Sequence, residues 1–328
     1  MEKTTVLEFL QKNNEDVDQA ILDSEVSRQP FSLYEPVVHV LSSRGKRLRP
    51  QLVLCAASIF NGDREAALQV ALAMEVFHIF TLVHDDIMDH ADSRRGHTTI
   101  HVKWDEPTAI LSGDYLLGRA TELLLSLPDK NLRTGLGRFS QTVRELCEGQ
   151  IRDMEFEARQ DVTLDEYLSM IDQKTSALLK TSLVLGGLTG NVTVEEVEKL
   201  DLIGYHLGRA FQIQDDFLDL TAESHDWGKP VGGDFIAGKK AFLLLEAIRV
   251  EQEQGGTFFQ TIATHGGVTS SQVPEIRERL DQLGVLESAQ KTVRFHSGTA
   301  AALTQDLKES LGKQGLLALI KKMSVRTH

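Results

Sequence analysis

The stretch Val76-Phe77-His78-Ile79-Phe80-Thr81-Leu82-Val83-His84-Asp85-Asp86-Ile87-Met88-Asp89 leads an apolar segment directly into three aspartates. The same Asp-Asp-x-x-Asp pattern recurs as Asp215-Asp216-Phe217-Leu218-Asp219, again after an apolar run, Ala210-Phe211-Gln212-Ile213. In an α-helix, positions i and i+4 project from one face and position i+1 flanks them, so each copy brings its three carboxylates together. Two solvated acidic faces are the alternative interpretation, but surface charge runs rarely follow apolar segments so closely. The two copies therefore predict two helix faces that bind a ligand.

Helical periodicity dominates the rest of the chain. Apolar residues recur at helical spacing in 116–124 and 178–185, whereas period-two alternation is scarce. The chain has 7 prolines, and none lies between Pro128 and Pro230, a gap that a helical protein tolerates and a turn-rich β protein rarely shows. We predict an all-α fold, with helices over 3–28 with a break, 32–43, 49–60, 64–90, 107–126, 130–158, 163–190, 193–220, 238–254 and several within 270–325. The absence of a long linker predicts a single domain over 1–328.

Composition and charge narrow the class of protein. The chain has 328 residues, 41% of them hydrophobic, and a formal net charge of −13, which argues against non-specific nucleic-acid binding. Cys55 and Cys147 are too few for a disulfide framework and lack metal-site spacing, so we predict a reducing compartment and two cysteines in the core. The sequence shows neither a signal pattern nor a run of about 18 apolar residues, which predicts a cytoplasmic protein without a transmembrane segment.

The acidic motifs indicate a metal. Crowded like charges destabilise a helix by about 0.2 to 0.5 kcal/mol per pair, so a cation should offset them. Mg²⁺ takes oxygen ligands, keeps several waters and bridges one or two carboxylates to substrate phosphates. The motifs therefore predict Mg²⁺ and a polyphosphate. A zinc site is the alternative, but the spacings of its candidate ligands fit no compact tetrahedral site. These candidates are His84, His90, His97 and His101.

Basic residues lie in three glycine-containing loops, in one apolar helix and, as Lys239 and Lys240, just after the third loop. The loops cover 42–50, 93–97 and 227–234, and their composition suits anion capture and closure over a substrate. A diphosphate needs Arg or Lys groups in addition to metal. Each basic residue taken singly is typical of a solvated surface, but their positions beside the acidic motifs favour a binding role. The candidates are Lys46, Arg49, Arg94, Arg95, Lys174, Lys239 and Lys240. His78 lies two helical turns before Asp85 on roughly the same side, as either a site or a core histidine.

An ordered set of motifs resembles the trans-isoprenyl diphosphate synthases of the polyprenyl synthetase family. Besides the two acidic motifs, the set comprises Gly45-Lys46-Arg47-Leu48-Arg49-Pro50, Glu75 with His78, Arg94-Arg95-Gly96, Leu111-Ser112-Gly113-Asp114-Tyr115-Leu116, Glu148-Gly149-Gln150, Lys174-Thr175, Phe211-Gln212-Ile213-Gln214 and Gly228-Lys229-Pro230. Residues 1–30 and 250–328 carry little of it. The resemblance implies a bundle of long antiparallel helices around a deep central cavity, a homodimer, and acidic motifs that face each other across the cavity mouth.

The same resemblance implies the reaction. The family condenses an allylic diphosphate with isopentenyl diphosphate head-to-tail, in a Mg²⁺-dependent step, to give a trans-prenyl diphosphate. Geranylgeranyl diphosphate is the expected product and farnesyl diphosphate the alternative. A terpene cyclase and a non-catalytic regulatory subunit are further alternatives, which the complete second motif disfavours. In the family, a bulky aromatic five residues before the motif, the position of Phe80, accompanies geranylgeranyl products and forms the floor of the cavity. Phe77, eight residues before Asp85, lies on a similar side of the helix and would narrow the cavity further. The alternative is that both are ordinary core aromatics.

Residue roles follow from the resemblance position by position. Three Mg²⁺ ions are expected, two on Asp85 and Asp89 with Asp86 supporting them, and a third on Asp215 with Asp219 behind it. The allylic diphosphate would contact Arg94, Lys174 and Lys239, and isopentenyl diphosphate would contact Lys46, Arg49, His78 and Arg95. The reacting carbons would lie beside Thr175 and Gln212. After Gly238-Lys239 the family often has threonine two residues on, whereas this chain continues Lys240-Ala241-Phe242, which leaves open whether Lys239 or Lys240 reaches the diphosphate.

Overall fold

The computed structural model describes residues 3–24, 28–43, 45–222 and 231–324, and these residues form an all-α protein with one short hairpin. The helices are α1 Lys3–Ser24, α2 Phe31–Leu41, α3 Leu48–Ile59, α4 Arg64–Met88, α5 Ile100–Lys103, α6 Glu106–Leu123, α7 Asp129–Ala158, α8 Leu164–Ile171, α9 Ala177–Leu188, α10 Val194–Thr221, α11 Gly233–Ile236, α12 Phe242–Glu253, α13 Phe258–His265, α14 Val273–Gln282, α15 Val285–Gln305 and α16 Leu311–Ser324. Single turns of other helix types are the 3₁₀ segments Leu124–Ser126 and Ser270–Gln272 and the π segment Asp172–Ser176. Strands β1 Ser93–Arg94 and β2 His97–Thr98 pair antiparallel. The predicted fold class is confirmed.

Two compact units divide the chain, and each is assembled from three stretches of sequence. Unit 1 comprises Met1–Ser140, Thr181–Asp201 and Leu307–Leu316. Unit 2 comprises Gln141–Lys180, Leu202–Asp306 and Leu317–His328. The first acidic motif therefore belongs to unit 1 and the second to unit 2.

The core of unit 1 contains α3 and α4. Helix α4 begins behind Asp63, whose side chain accepts a hydrogen bond from the backbone N–H of Ala66 at 2.8 Å, a typical N-cap. By length and composition α4 is the one helix among the described residues that could cross a membrane, and 72% of its most apolar window is buried inside the protein, as expected of a core helix. Close packing continues at Gly186, where a Cβ atom would lie 2.3 Å from the carbonyl oxygen of Val53.

The core of unit 2 is rich in aromatic side chains. Phe156, Tyr167, Phe235, Phe242 and Phe259 are all at most 5% exposed and belong to one apolar cluster. Burying a large apolar side chain stabilises the fold by about 1.5 to 3 kcal/mol. This cluster holds α8, α11, α12 and α13 together, and it therefore fixes the segments that flank the second acidic motif.

Several local features differ from the sequence prediction. The helix predicted over 163–190 is interrupted by the π segment, and the helix predicted from 238 begins at Phe242. The short helices α5 and α11, the hairpin and α13 were not predicted. The prediction that both cysteines lie in the core is wrong, because Cys55 is buried but Cys147 is exposed. A single π turn inside a longer helical segment is too short to leave a clear trace in the sequence. The predicted loop motif Gly228-Lys229-Pro230 lies outside the described residues.

Candidate active site

The first acidic motif occupies the last turn of α4. Asp85 is half-buried and Asp89, the C-cap residue, is exposed. Asp86 is 7% exposed and accepts a hydrogen bond from Nε of Arg94 at 2.5 Å. Burial raises the pKa of the Asp86 carboxyl, and the Arg94 guanidinium opposes that rise. Carboxylates at a helix C-terminus face the negative end of the helix dipole, which disfavours each of them by about 0.3 to 1 kcal/mol. A bound cation would offset this cost.

Two arginines are presented by the hairpin that follows this motif. Arg94 pairs with His97 across the strands, and the connection is the two-residue turn Arg95-Gly96. Both turn residues have positive φ, 53° at Arg95 and 80° at Gly96, as in the type I′ turns that suit two-residue hairpins. A left-handed conformation costs a non-glycine residue roughly 1 to 2 kcal/mol. Arg95 is therefore held in a strained position, a feature that is common at functional sites.

A cationic cluster surrounds the half-buried His78 on α4. Nη1 of Arg47 donates to the buried carboxylate of Glu75 at 2.6 Å. Burial lowers the pKa of Arg49 to about 10, opposed by Glu75, and Arg95 lowers it further. Burial and then the charge of Arg49 hold the pKa of His78 well below its ordinary value, so His78 is neutral. Buried polar atoms without partners are costly, and Nε of Arg49 and Nδ1 of His78 are two such atoms. An anion would satisfy this cluster.

Three of the four residues predicted for isopentenyl diphosphate thus lie together, namely Arg49, His78 and Arg95. The fourth, Lys46, is exposed in the adjacent loop. The loop approaches Arg95 closely at Gly45, where a Cβ atom would lie 2.7 Å from Nη1 of that residue. Arg47 was not assigned a role from the sequence, although it lies between two residues that were.

In unit 2, the predicted Lys174-Thr175 pair lies in the π turn. Nζ of Lys174 is 2.5 Å from Oδ2 of Asp153, and Oγ1 of Thr175 donates to Oε1 of Gln212 at 2.9 Å. The turn is anchored at its first residue, because Arg209 donates two hydrogen bonds of 2.8 Å to the Asp172 carboxylate. Inserted π turns are frequent at functional sites because they redirect side chains.

The second acidic motif is more deeply buried than the first. Asp215 is half-buried, whereas Asp216 is 6% and Asp219 8% exposed. Oδ2 of Asp219 accepts the backbone N–H of Asp234 at 3.0 Å, and its backbone carbonyl accepts the N–H of Gly232 at 2.7 Å. Asp219 therefore holds the backbone at the start of α11.

Asp216 binds three donors. Its Oδ2 accepts the hydroxyl of Tyr167 and the backbone N–H of Phe242, the latter at 3.0 Å, and its Oδ1 accepts Nε2 of Gln212 at 3.1 Å. Burial raises the pKa of Asp216 to about 7, Asp234 adds to this, and the three hydrogen bonds oppose it. Neither Tyr167 nor the function of Asp216 was inferred from the sequence, since the donors come from distant segments.

The structure separates the two neighbouring lysines. Lys240 is 8% exposed, and its Nζ donates to the backbone carbonyl of Glu157 at 2.9 Å. Lys239 is exposed. The Nζ of Lys240 is therefore engaged at the end of α7, whereas Lys239 presents its side chain to solvent.

The predicted floor residues form an aromatic stack. The rings of Phe77 and Phe80 are stacked with centroids 5.5 Å apart, and Phe77 also meets Phe139 of α7 edge-on at 4.8 Å. Phe80 contacts the imidazole of His84, again edge-on at 4.8 Å. His84 in turn lies against α6 at Gly113, where a Cβ atom would be 2.1 Å from its Nε2. These contacts account for His84 as a packing residue.

The donor set fits Mg²⁺ better than zinc. Within the described ranges, no three His, Cys, Asp or Glu side chains are arranged as a preassembled metal site. Zinc sites require such preassembled ligands, whereas Mg²⁺ commonly takes one or two carboxylates, its remaining ligands being waters and substrate phosphates. Asp85 and Asp89 on one face of α4 provide carboxylate oxygens of this kind.

Comparison with known proteins assigns the family. The family model described as polyprenyl synthetase matches residues 31–280, and the chain belongs to that family of prenyltransferases. It is 34% identical over 324 residues to a short chain isoprenyl diphosphate synthase of Methanothermobacter thermautotrophicus, covering 98% of this chain and 99% of the relative. It is 42% identical over 237 residues to a geranylgeranyl diphosphate synthase of Sulfolobus acidocaldarius, covering 71% and 72%. A crystal structure of geranylgeranyl pyrophosphate synthetase from Pyrococcus horikoshii matches with a TM-score of 0.91 at 34% identity, covering 99% and 100%.

Proposed function

We propose that this protein condenses an allylic diphosphate with isopentenyl diphosphate to form geranylgeranyl diphosphate, releasing inorganic diphosphate and one proton per condensation. The observation that carries the proposal is the pairing of two site types on one chain of this family. Unit 1 has a cationic cluster with unpartnered polar atoms, and both units have an acidic face. A cyclase binds one diphosphate and would not need the cluster around Arg49, His78 and Arg95.

The acidic residues hold magnesium in this proposal. Asp85 and Asp89 would hold two Mg²⁺ ions with Asp86 supporting them, and Asp215 would hold a third with Asp219 behind it. When bound, Mg²⁺ acts as a Lewis acid that stabilises charge on the leaving diphosphate by several kcal/mol. Asp86 contributes by orienting Arg94 through its 2.5 Å hydrogen bond.

The basic residues divide between the two substrates. Arg94, Lys174 and Lys239 bind the allylic diphosphate, and Lys46, Arg49, His78 and Arg95 bind isopentenyl diphosphate. Lys174 is paired with Asp153 at 2.5 Å, so it must exchange this partner for phosphate when substrate arrives. Thr175 and Gln212 lie beside the reacting carbons, and their oxygen dipoles stabilise positive charge that develops there.

Product length is set by the aromatic stack in this proposal. Phe80 and Phe77 end the space that is open to the growing chain, and Phe77 is supported by Phe139. The bulk of the Phe80 side chain favours the geranylgeranyl product. If Phe77 narrowed the space for the growing chain further, the product would be farnesyl diphosphate.

We also propose a cytoplasmic homodimer that folds as a single domain. Apolar side chains on α5 and α6 support the dimer: Val102 is 47%, Ile110 42% and Leu111 61% exposed. Exposed apolar residues that cluster on neighbouring helices commonly mark an interface. Light scattering should give twice the chain mass, and unfolding should show one transition. A monomeric mass or two separate transitions would contradict these proposals.

A product assay tests the main proposal. Purified protein is incubated with isopentenyl diphosphate and either dimethylallyl, geranyl or farnesyl diphosphate, with Mg²⁺ or with excess chelator. We expect a C20 alcohol after dephosphorylation, formed only with Mg²⁺. A C15 product would identify the farnesyl alternative, a hydrocarbon formed without isopentenyl uptake would identify a cyclase, and no turnover would indicate a regulatory subunit.

A further inference from the structure

The Thr175 hydroxyl makes an unusual hydrogen bond for a threonine within a helical segment. Helical threonines usually donate to the carbonyl four residues earlier, as Thr121, Thr221 and Thr304 do in this protein. Thr175 instead donates to Oε1 of Gln212 on α10. Its lone pairs are therefore directed by a side chain of another helix.

The orientation of the Gln212 amide decides which way this bond runs. A side-chain amide has a donating and an accepting end, and its orientation is inferred from its partners. Here the partner at the nitrogen end is the carboxylate of Asp216, which carries no hydrogen when it is ionised and can then only accept. The NH₂ group must face Asp216, so the oxygen must face Thr175, and the hydroxyl of Thr175 must be the donor.

The Asp216 carboxylate is itself held by a group that cannot reverse its role, the backbone N–H of Phe242. Its other oxygen accepts the backbone N–H of Phe242 at 3.0 Å, together with the hydroxyl of Tyr167. A backbone N–H can only donate. The chain of hydrogen bonds from Phe242 through Asp216 and Gln212 to Thr175 therefore has one direction. Such chains strengthen each member by polarisation in a buried site.

We propose that Asp216 is a positioning residue for the condensation, which acts through Gln212 to turn the lone pairs of Thr175 toward the carbon that becomes positively charged. The inference rests on the proposed function, because it requires a reaction in which positive charge develops on carbon. It gives the middle carboxylate of the second motif an electrostatic role at Thr175 in place of a metal-binding role. Preorganised dipoles of this kind act without reorganisation during the reaction.

Asp216→Asn is the decisive substitution. The side-chain oxygen of the asparagine must face the N–H of Phe242. If the asparagine NH₂ group faced it instead, two hydrogen-bond donors would point at each other. Its NH₂ group then faces Gln212, whose amide must flip. The flipped amide donates to Thr175, and the hydroxyl proton of Thr175 turns toward the reacting carbon. We expect kcat to fall about 10- to 100-fold at pH 8, on the order of losing one preorganised dipole, with both KM values within about threefold of the parent.

Tyr167→Phe is the matched control. It removes a hydrogen bond from the same carboxylate without changing the orientation of Gln212, so it reports what the loss of stability alone does. We expect a lower Tm and a loss of kcat several-fold smaller than that caused by Asp216→Asn. If Tyr167→Phe lowered kcat as much as Asp216→Asn, the effect would be structural and the proposal would be wrong.

A double-mutant cycle separates a positioning role from a direct one. In a Thr175→Val background no hydroxyl can be oriented, so Asp216→Asn should change kcat by less than about threefold. Equal losses with and without the Thr175 hydroxyl would overturn the proposal and would favour direct metal binding by Asp216. If instead the parent protein elongated no allylic diphosphate, the proposed function would be wrong. Failure of the inference about Asp216 and failure of the proposed function are therefore distinguishable.

Discussion

The two acidic motifs share one spacing and differ in what surrounds their carboxylates. The first lies at the end of α4, its last aspartate is an exposed C-cap, and its middle aspartate pairs with the Arg94 guanidinium. The second lies within α10, its last aspartate is bonded to the backbone N–H of Asp234, and its middle aspartate accepts three uncharged donors. The pattern therefore specifies which face of a helix is acidic, and the packing around each helix specifies what each carboxylate does.

The difference indicates two ways of managing crowded negative charge. In the first motif, the negative end of the helix dipole and the exposure of Asp89 make a cation the natural partner. In the second, Asp216 and Asp219 are buried and bonded to protein donors, whereas Asp215 is half-buried. We expect metal to bind directly to the carboxylates of the first motif. At the second motif, we expect metal binding to order the segments that pack around it.

The largest predicted effect concerns the leading aspartate of each motif. Asp85→Ala and Asp215→Ala should each lower kcat/KM by about 10³-fold or more, because each loss removes several kcal/mol of metal-dependent stabilisation. Steady-state kinetics with isopentenyl and farnesyl diphosphates measures this, with Glu278→Ala on the exposed face of α14 as the control. If either variant kept its turnover within tenfold of the parent, the motif that it changes would have no part in the mechanism.

The second effect concerns the cationic cluster that accompanies the first motif. Arg95→Ala should raise the KM for isopentenyl diphosphate about 10- to 100-fold, since a hydrogen bond to a charged group contributes about 1.5 to 3 kcal/mol. Lys174→Ala, in the π turn of unit 2, should raise the KM of the allylic substrate instead. Arg279→Ala, an exposed arginine on α14, is the control. If Arg95→Ala weakened only the allylic substrate, the assignment of the two sites would be reversed.

The third effect is a joint stabilisation by metal and diphosphate. A ligand at 100 times its Kd stabilises the native state by about 2.7 kcal/mol, and about 1 kcal/mol moves the Tm of a chain this large by roughly 2 to 4 °C. Thermal unfolding should therefore show a rise of several degrees only when both Mg²⁺ and diphosphate are present. An equal rise with diphosphate and a chelator would count against a metal bridge.

The fourth effect exploits the residues that precede each motif. Five residues before the motif, α4 carries Phe80 whereas α10 carries Ala210, so bulk that could limit the product lies on the first helix. Phe80→Ala should lengthen the product by about one or two C5 units, and Phe77→Ala should add further, because the growing chain extends into the space that each ring vacates. Phe60→Ala, which removes another buried phenylalanine of unit 1, is the packing control. Phe80→Leu is the more conservative variant to be used if Phe80→Ala does not fold. The chain lengths of the dephosphorylated alcohols are measured by mass spectrometry. If a folded Phe80→Ala, Phe77→Ala double variant gave the same lengths as the parent, the cavity floor would lie elsewhere.

The smallest effect concerns the helix of the second motif, which is tied to α15 by a histidine pair. Nδ1 of His206 lies 2.8 Å from Nδ1 of His296, and burial lowers the pKa of His296 to about 4. The unfolded chain binds a proton there below about pH 6.5 and the native chain does not, so stability should fall as pH falls from about 6.5 toward 4. The Tm difference between the parent and His296→Gln, measured from pH 7 to 5, should shrink by a few degrees. A constant difference would show that the pair does not titrate with folding.

The sequence by itself determined the helices and the class of chemistry. Apolar periodicity places the helix that carries the first motif within two residues of its observed end. The segments 163–190 and 193–220 are helical as predicted, apart from the π turn. These features are local, because a helix requires only its own periodicity and its caps. The ordered motifs also identified the family, which the family comparison confirmed.

Only the tertiary structure decided how equivalent residues divide their tasks. Nothing local distinguishes Lys239 from Lys240, or Asp216 from Asp86, yet Lys240 is bonded to the Glu157 carbonyl and Asp216 to Tyr167, which precedes it by 49 residues. The hydrogen-bond partner of a buried group is set by which distant segment packs against it, and spacing along the chain carries no record of that partner. The π turn and the direction of the bond from Thr175 to Gln212 depend on such partners for the same reason.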